Sequence, residues 1–303
     1  MKKTTSKKLR IGENSKLGRV LNKSWEDLHI KQPMFWVITG KVGTGKSRSL
    51  FLNIIDYWYR HFHNKEIIKT CFGTTFPAYI NALNTAKPFD IAGLDEAGDI
   101  FNKGARGRIV LNDLYETYGI IRERLIFTVI VMPSIFDLDN KFAQNNVTYW
   151  LNAVKRINNK CNKCHKDFVG NICPYCNSKD YKPGCVVYNF YSHKRLKKIL
   201  QFNESRNIKS LSCGVKPNFT SKLGEYKGKL CDYYDSLKQE KTDLKVKTLD
   251  KKYGIKTTIE QNKQAIEVKD MLEKGIKMPQ IAEKLGIHQN TCYARLRKFG
   301  LKV

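Results

Sequence analysis

The sequence predicts an α/β fold in which helices cover both faces of a parallel sheet, followed by a small all-helical domain. Segments with strand-like apolar patterns alternate with segments whose apolar residues recur at helical spacing, which is typical of such sheets. The apolar stretch at residues 125–132 is nearly continuous and rich in β-branched residues, as a strand buried on both faces should be.

The predicted elements follow one another along most of the chain. Strand patterns are predicted at residues 34–39, 67–72, 90–94, 125–132, 147–157 and 186–191. Helical patterns are predicted at residues 50–58, 78–83 and 109–121. We expect a disordered basic arm at residues 1–24, the main domain at 25–237, a linker that is helical at most in part at 238–259, and a compact helical domain at 260–303.

The charge points to a polyanionic partner. Lys and Arg number 55 against 28 Asp and Glu, which gives the 303-residue chain a net charge of +27. Nucleic acid and an anionic membrane surface are the two partners this excess favours, and a merely soluble basic protein is the alternative. No apolar stretch approaches the roughly 20 residues that a transmembrane helix needs. No apolar stretch follows the basic N-terminus, so a secretory signal is not expected and the predicted location is the cytoplasm.

A phosphate-binding loop is the most specific motif in the sequence. Residues 40–47 match the pattern G-x-x-x-x-G-K-[ST] in full, after a predicted strand and before a predicted helix. The matching residues are Gly40, Lys41, Val42, Gly43, Thr44, Gly45, Lys46 and Ser47. Glycines let backbone N–H groups point at phosphate oxygens, Lys46 would contact the β- and γ-phosphates, and the Ser47 hydroxyl would bind Mg²⁺. The motif predicts ATP and Mg²⁺ as ligands.

A second acidic element is predicted where residues 90–94 end. Asp95 would hold Mg²⁺ and Glu96 would polarise the attacking water as general base, with Lys46 as the second catalytic residue. Gly93 interrupts the usual run of large apolar residues, and an exposed acidic turn is the alternative. Ser134 is a candidate sensor of the γ-phosphate. The candidates for an arginine finger are Arg106, Arg108, Arg122 and Arg124, for which surface ion pairs are the alternative.

These residues together resemble the HerA/FtsK group of P-loop ATPases. The phosphate loop, the adjacent Asp95 and Glu96, the helix ending in residues 122–124 and the strand ending in residues 132–134 carry the resemblance over residues 30–155. The ATPases of archaeal viruses and plasmids and the zonula-occludens-toxin-like phage proteins are similar. The resemblance implies a homo-oligomeric ring that translocates double-stranded DNA. Toxin-like members continue into a membrane-spanning helix, which this sequence lacks.

Two cysteine pairs predict a structural zinc ribbon inserted at residues 158–180. Cys161, Cys164, Cys173 and Cys176 form two C-x-x-C units, and four thiolates suit tetrahedral Zn²⁺. Iron accepts the same ligands. The ribbon is interpreted equally well as a nucleic-acid contact, since lysines surround it, or as a clip that stabilises a hairpin. A zinc-bearing lid like that of some nucleotide kinases is a rival interpretation.

The last residues resemble the helix-turn-helix of resolvases and sigma factors. Ala282, Gly286 and Leu296 match its small, turn-forming and packing positions. The exposed face of the second helix would present the candidate DNA contacts Gln289, Asn290, Tyr293, Arg295 and Arg297. A protein-docking module is the alternative. The sequence as a whole thus predicts an ATPase that translocates, packages or segregates DNA, with two alternatives: a nucleotide-switched DNA-binding regulator and a phage assembly or secretion ATPase.

Overall fold

The computed structural model describes residues 11–63, 71–99, 107–168, 172–206, 208, 211, 213–228, 230–253 and 258–298. The chain divides into two compact units, Met1–Lys238 and Gln239–Val303. The helices are α1 (Lys16–His29), α2 (Leu52–Trp58), α3 (Phe76–Thr85), α4 (Gly107–Glu123), α5 (Asn140–Asn146), α6 (His193–Ser205), α7 (Leu230–Tyr253), α8 (Thr258–Glu273), α9 (Met278–Lys284) and α10 (Gln289–Lys298). The strands are β1 (Met34–Gly40), β2 (Phe72–Gly73), β3 (Ile91–Leu94), β4 (Phe127–Met132), β5 (Tyr149–Ile157), β6 (Asn159–Cys161), β7 (Asp167–Phe168), β8 (Tyr181–Lys182), β9 (Cys185–Ser192) and β10 (Phe219–Gly224).

The main sheet of the described residues is seven-stranded, in the order β10-β9-β5-β1-β4-β3-β2. The prediction of an α/β fold with a flanked sheet is confirmed, and strands β5, β1, β4, β3 and β2 are parallel. The prediction of a wholly parallel sheet is wrong at one side, because β9 pairs antiparallel with both β5 and β10. Among the residues that the structure describes between β5 and β9 there is a small insert and no crossover helix, and a strand that turns back without a crossover pairs antiparallel.

Helices cover both faces of this sheet. Every residue of β1 is buried, and its side chains alternate between two hydrophobic clusters. One cluster contains residues of α1, α2 and the start of α7, and the other contains residues of α3, α5 and α6. A central strand with apolar residues on both faces therefore reflects a core on each side of the sheet.

Helix α1 corrects the prediction of a disordered arm over residues 1–24. The Ser15 side chain accepts a hydrogen bond from Gly18 N at 2.9 Å and caps the helix, while Leu17, Leu21 and Leu28 are buried in the core. Lys16, Arg19 and Lys23 are exposed, and the basic composition of this region obscured the apolar stripe. Residues 1–10 of the predicted arm lie outside the described residues.

Several other expectations concern the ends of elements. The segment predicted as a linker is helical through Tyr253, because α7 continues across it, and residues 254–257 lie outside the described part. The strand expected at residues 67–72 is described only as β2, since residues 64–70 are not described. Within the described ranges, no helix combines the length and the apolar character needed to cross a bilayer.

Candidate functional site

The phosphate loop and the acidic pair meet at the carboxyl edge of the parallel strands. Strand β4 lies between β1, which leads into the loop, and β3, which leads into the acidic pair. The carboxyl ends of neighbouring parallel strands form the crevice in which open α/β sheets bind ligands. Gly40 N donates to Pro133 O at 3.2 Å, and the Ser47 hydroxyl donates to Asp95 Oδ1 at 2.9 Å. Residues that are 48 positions apart in the sequence are thus in direct contact.

The loop has the backbone that its glycines predict. Gly45 has a φ of +81°, and a Cβ there would lie 2.9 Å from a methyl carbon of Val186. A side chain at this position would therefore be both strained and crowded. The helix after it begins as a π-helical turn, Lys46–Phe51, and continues into α2; such turns are frequent at functional sites. Burial lowers the pKa of Lys46, and the nearby Asp95 and Glu96 carboxylates oppose this shift only in part.

The two acidic residues have different environments. The Asp95 side chain is 1% exposed, and its second oxygen, Oδ2, accepts a hydrogen bond from the Tyr234 hydroxyl at 2.5 Å. The Glu96 side chain is 36% exposed, and its Oε1 accepts a hydrogen bond from Lys238 Nζ at 2.6 Å. Glu96 has a φ of +62°, a left-handed conformation that is uncommon for a residue with a long side chain. Asp95 is therefore fixed in place, while Glu96 is accessible to water.

Gly93 lies among the apolar residues of β3, the strand that leads into Asp95 and Glu96, and its presence there has a steric cause. A Cβ at this position would lie 2.5 and 2.7 Å from two ring atoms of Phe51, which belongs to the helix after the phosphate loop. No real Cβ approaches other atoms so closely, so only glycine fits without displacing the ring. The absence of a side chain lets the phosphate-loop helix pack directly on the strand that carries the acidic pair.

Sequence reasoning missed two side chains of this site, Tyr234 and Lys238. Both project from the start of α7, four residues apart on one face of the helix, in line with the buried Leu230. Arg48, which follows Ser47, donates to both carboxylate oxygens of Asp235 at 2.5 and 2.6 Å and so ties α7 to the phosphate loop. The helical spacing of the apolar residues 230, 234 and 237 could have indicated this helix in the sequence, but the lysine-rich segment after them suggested a linker.

Charge and burial fix the protonation of these two groups. Burial would lower the pKa of the Lys238 ammonium, but the Asp95 charge and the hydrogen bond to Glu96 outweigh it, and the pKa is raised. Burial raises the pKa of the Tyr234 hydroxyl, and the neighbouring Asp95 charge raises it further. Lys238 therefore stays cationic and Tyr234 stays a hydrogen-bond donor at neutral pH.

The remaining predicted residues of the nucleotide site have other partners. The Ser134 hydroxyl accepts from Phe136 N at 3.2 Å and caps the short turn Ile135–Asp137. The Arg124 guanidinium donates to carbonyls at the end of α3, among them Leu83 O at 2.7 Å, which is the role of a helix-capping residue. Arg106 lies outside the described residues, as does the side chain of Arg108.

The four paired cysteines form one cluster. Their sulfur atoms all lie within 4.8 Å of one another, and two of the separations, Cys161 to Cys176 and Cys164 to Cys173, are 3.5 Å. Zn–S bonds of about 2.3 Å in a tetrahedron place sulfur atoms roughly 3.8 Å apart, so these positions fit a four-coordinate ion. Backbone hydrogen bonds, that of Cys164 first, lower the pKa of the Cys161 thiol, while burial and neighbouring sulfur atoms raise the pKa of Cys164 and Cys176.

The two halves of this cluster have the same backbone. In each, the residue after the second cysteine is left-handed, with φ values of +59° at His165 and +52° at Asn177. The N–H of this left-handed residue donates to the carbonyl of the first cysteine of its pair. The N–H of the first cysteine donates in turn to a carbonyl further along, that of Lys166 in the first half and that of Ser178 in the second. The small sheet of β7, β6 and β8 carries both turns. The residues can hold a metal and leave no coordination position open for catalysis.

The second unit contains a three-helix cluster. Residues of α8, α9 and α10 share one core, to which Ile281, Ala282, Cys292 and Leu296 contribute. Gly286 lies in the turn between α9 and α10, with a φ of +61°. Of the predicted DNA contacts, Asn290 is exposed and both Gln289 and Tyr293 are partly exposed, with the Tyr293 ring packed in part against the core. Arg295 and Arg297 lie in α10, and their side chains are outside the described part.

No protein-family model matches the chain, and no curated protein matches it. The chemistry of the site is therefore the basis for any assignment of function.

Proposed function

We propose that this chain is a P-loop ATPase that hydrolyses ATP with Mg²⁺. The hydrogen bond from Ser47 to Asp95 is the observation that supports the proposal most directly, because it joins the two elements that would share the metal ion. When bound, Mg²⁺ would neutralise charge on the β- and γ-phosphates. Ser47 would contact the ion directly and Asp95 through water, and Lys46 would contact the phosphate oxygens.

Glu96 is proposed as the general base. It follows Asp95 directly, its side chain is partly exposed, and its strained backbone directs it away from the regular strand path. Its Oε1 accepts a hydrogen bond from Lys238 Nζ at 2.6 Å, which orients the carboxylate. A base has to lie within hydrogen-bond reach of the water whose proton it takes, and an exposed carboxylate beside the metal position satisfies that requirement.

We further propose DNA as the partner and Zn²⁺ as the ion of the cysteine cluster. The net charge of +27 supports a polyanion, and the three-helix unit has the turn and packing of a helix-turn-helix with Asn290 exposed at the start of α10. Asn and Gln side chains can read adenine through two hydrogen bonds. Translocation of double-stranded DNA by a ring of subunits is the role that the resemblance to the HerA/FtsK group adds.

The rate of ATP hydrolysis with and without double-stranded DNA tests this function. The wild-type protein should release phosphate in the presence of Mg²⁺, and DNA should raise the rate. Lys46→Ala should abolish hydrolysis, while Lys23→Ala, which changes an exposed lysine of α1, should retain most of it. A rate indifferent to DNA would favour an assembly ATPase, and tight ATP binding without turnover would favour a nucleotide-switched regulator.

A further inference from the structure

The hydroxyl of Tyr234 is the buried polar group at the site to which the proposed mechanism gives no role. Tyr234 is 3% exposed, and its hydroxyl donates to Asp95 Oδ2 at 2.5 Å across a sequence separation of 139 residues. The other Asp95 oxygen, Oδ1, accepts from Ser47 at 2.9 Å. Each Asp95 carboxylate oxygen therefore accepts a hydrogen bond from a hydroxyl group, and Lys238 Nζ lies 3.4 Å from Oδ2.

We propose that Tyr234 is a positioning residue for Asp95, orienting this carboxylate toward the metal ion shared with Ser47. This inference rests on the proposed ATPase function and deepens it. A carboxylate that holds a metal-bound water through one oxygen can accept a hydrogen bond from an outer partner at its second oxygen, and such partners orient the groups around a metal and tune its affinity. In this protein the outer partner is Tyr234, which belongs to α7 and not to the sheet.

The position of Tyr234 is itself fixed by contacts with the phosphate-loop helix. Arg48 forms its two hydrogen bonds to Asp235, the neighbour of Tyr234, and Tyr226 N donates to Arg48 O at 3.0 Å. The Tyr226 hydroxyl donates to Asp56 Oδ1 at 3.2 Å. These contacts hold the start of α7 against the helix that carries Lys46 and Ser47, so the position of Tyr234 is fixed relative to the phosphate loop.

Tyr234→Phe removes the hydroxyl and keeps the ring, and Tyr233→Phe is the matched control on the adjacent residue. Tyr233 packs its ring against Phe72, 5.5 Å between centroids. The probe is Mn²⁺ in the presence of a non-hydrolysable ATP analogue. Its binding is measured from the relaxation rate of water protons. We expect Tyr234→Phe to weaken Mn²⁺ binding by about tenfold, the lower range for loss of an outer partner, and Tyr233→Phe to leave it unchanged.

Two further measurements separate positioning from general stability. The Mg²⁺ concentration for half-maximal ATP hydrolysis should rise in Tyr234→Phe by the same factor as the Mn²⁺ dissociation constant. In an Asp95→Asn background, the Tyr234→Phe substitution should weaken Mn²⁺ binding much less, because its partner is already changed. A Tyr234→Phe protein that melts at a lower temperature but binds Mn²⁺ like the wild type would overturn the inference.

The same experiment distinguishes this inference from the proposed function. If the wild-type protein binds no Mn²⁺–nucleotide complex, the proposed function fails and the inference fails with it. If the wild type binds the complex and Tyr234→Phe binds it equally well, only the inference is wrong.

Discussion

The cysteine cluster and the phosphate site differ in how far apart in the sequence their parts lie. The sulfur contacts join residues 15 and 9 positions apart, and two equivalent turns supply all four of them. The phosphate site joins Ser47 to Asp95 over 48 positions and Asp95 to Tyr234 over 139. The first site can form within one short hairpin, whereas the second exists only when the whole sheet and α7 are in place.

This difference leads to separate expectations for how each site fails. A local metal site depends on its ion and its four ligands, since the metal supplies most of the folding free energy of such small units. A long-range site depends on the packing of the elements that carry it. Damage to one should therefore leave the other intact, and the following predictions test that separation.

The largest effect is expected from loss of the metal. Cys173→Ser removes a buried ligand, and structural zinc contributes roughly 10 kcal/mol to the folding of small domains. Elemental analysis should find one zinc per wild-type chain and almost none in the variant. ATP binding should be retained, because no residue of the phosphate loop belongs to the ribbon. Cys213→Ser, at a cysteine outside the cluster, is the control and should keep the zinc.

A smaller effect, on the phosphate site and not on the cysteine cluster, is expected from Gly93→Val. The new side chain would collide with the Phe51 ring, and overpacking of this kind lowers the free energy of unfolding by about 1–3 kcal/mol. Chemical denaturation should show this loss, nucleotide binding should weaken, and the zinc content should stay at one per chain. Adding Phe51→Leu should restore part of the stability. Unchanged stability in Gly93→Val would contradict the proposed contact between the loop helix and the acidic strand.

The smallest effect concerns the backbone of the cysteine turns. Asn177 is left-handed, a conformation that asparagine tolerates and alanine does not, so Asn177→Ala should weaken zinc binding by about 1 kcal/mol. Asn177→Gly should bind zinc like the wild type. Competition with a chromophoric chelator measures both. Equal weakening in the two variants would show that the asparagine side chain matters and its backbone conformation does not.

The same contrast explains which features could be predicted from the sequence. The loop at residues 40–47 and the four cysteines are patterns of nearby residues, and the α/β fold follows from the alternation of strands and helices. The antiparallel pairing of β9 could not be predicted, since it depends on how the insert after β5 returns the chain. Tyr234 and Lys238 could not be assigned either, because tertiary packing alone brings α7 to Asp95 and Glu96. The buried stripe of α1 was present in the sequence but was outweighed by the basic composition around it.

The turnover of ATP by Glu96→Gln tests the central claim most directly. The substitution keeps the size of the side chain and one acceptor oxygen but removes the base, so nucleotide binding should persist while the rate of hydrolysis falls by about 100-fold or more. Single-turnover hydrolysis and equilibrium nucleotide binding, measured on the same preparation, give both quantities. Hydrolysis by Glu96→Gln at the wild-type rate would contradict the assignment of Glu96 as the residue that activates water.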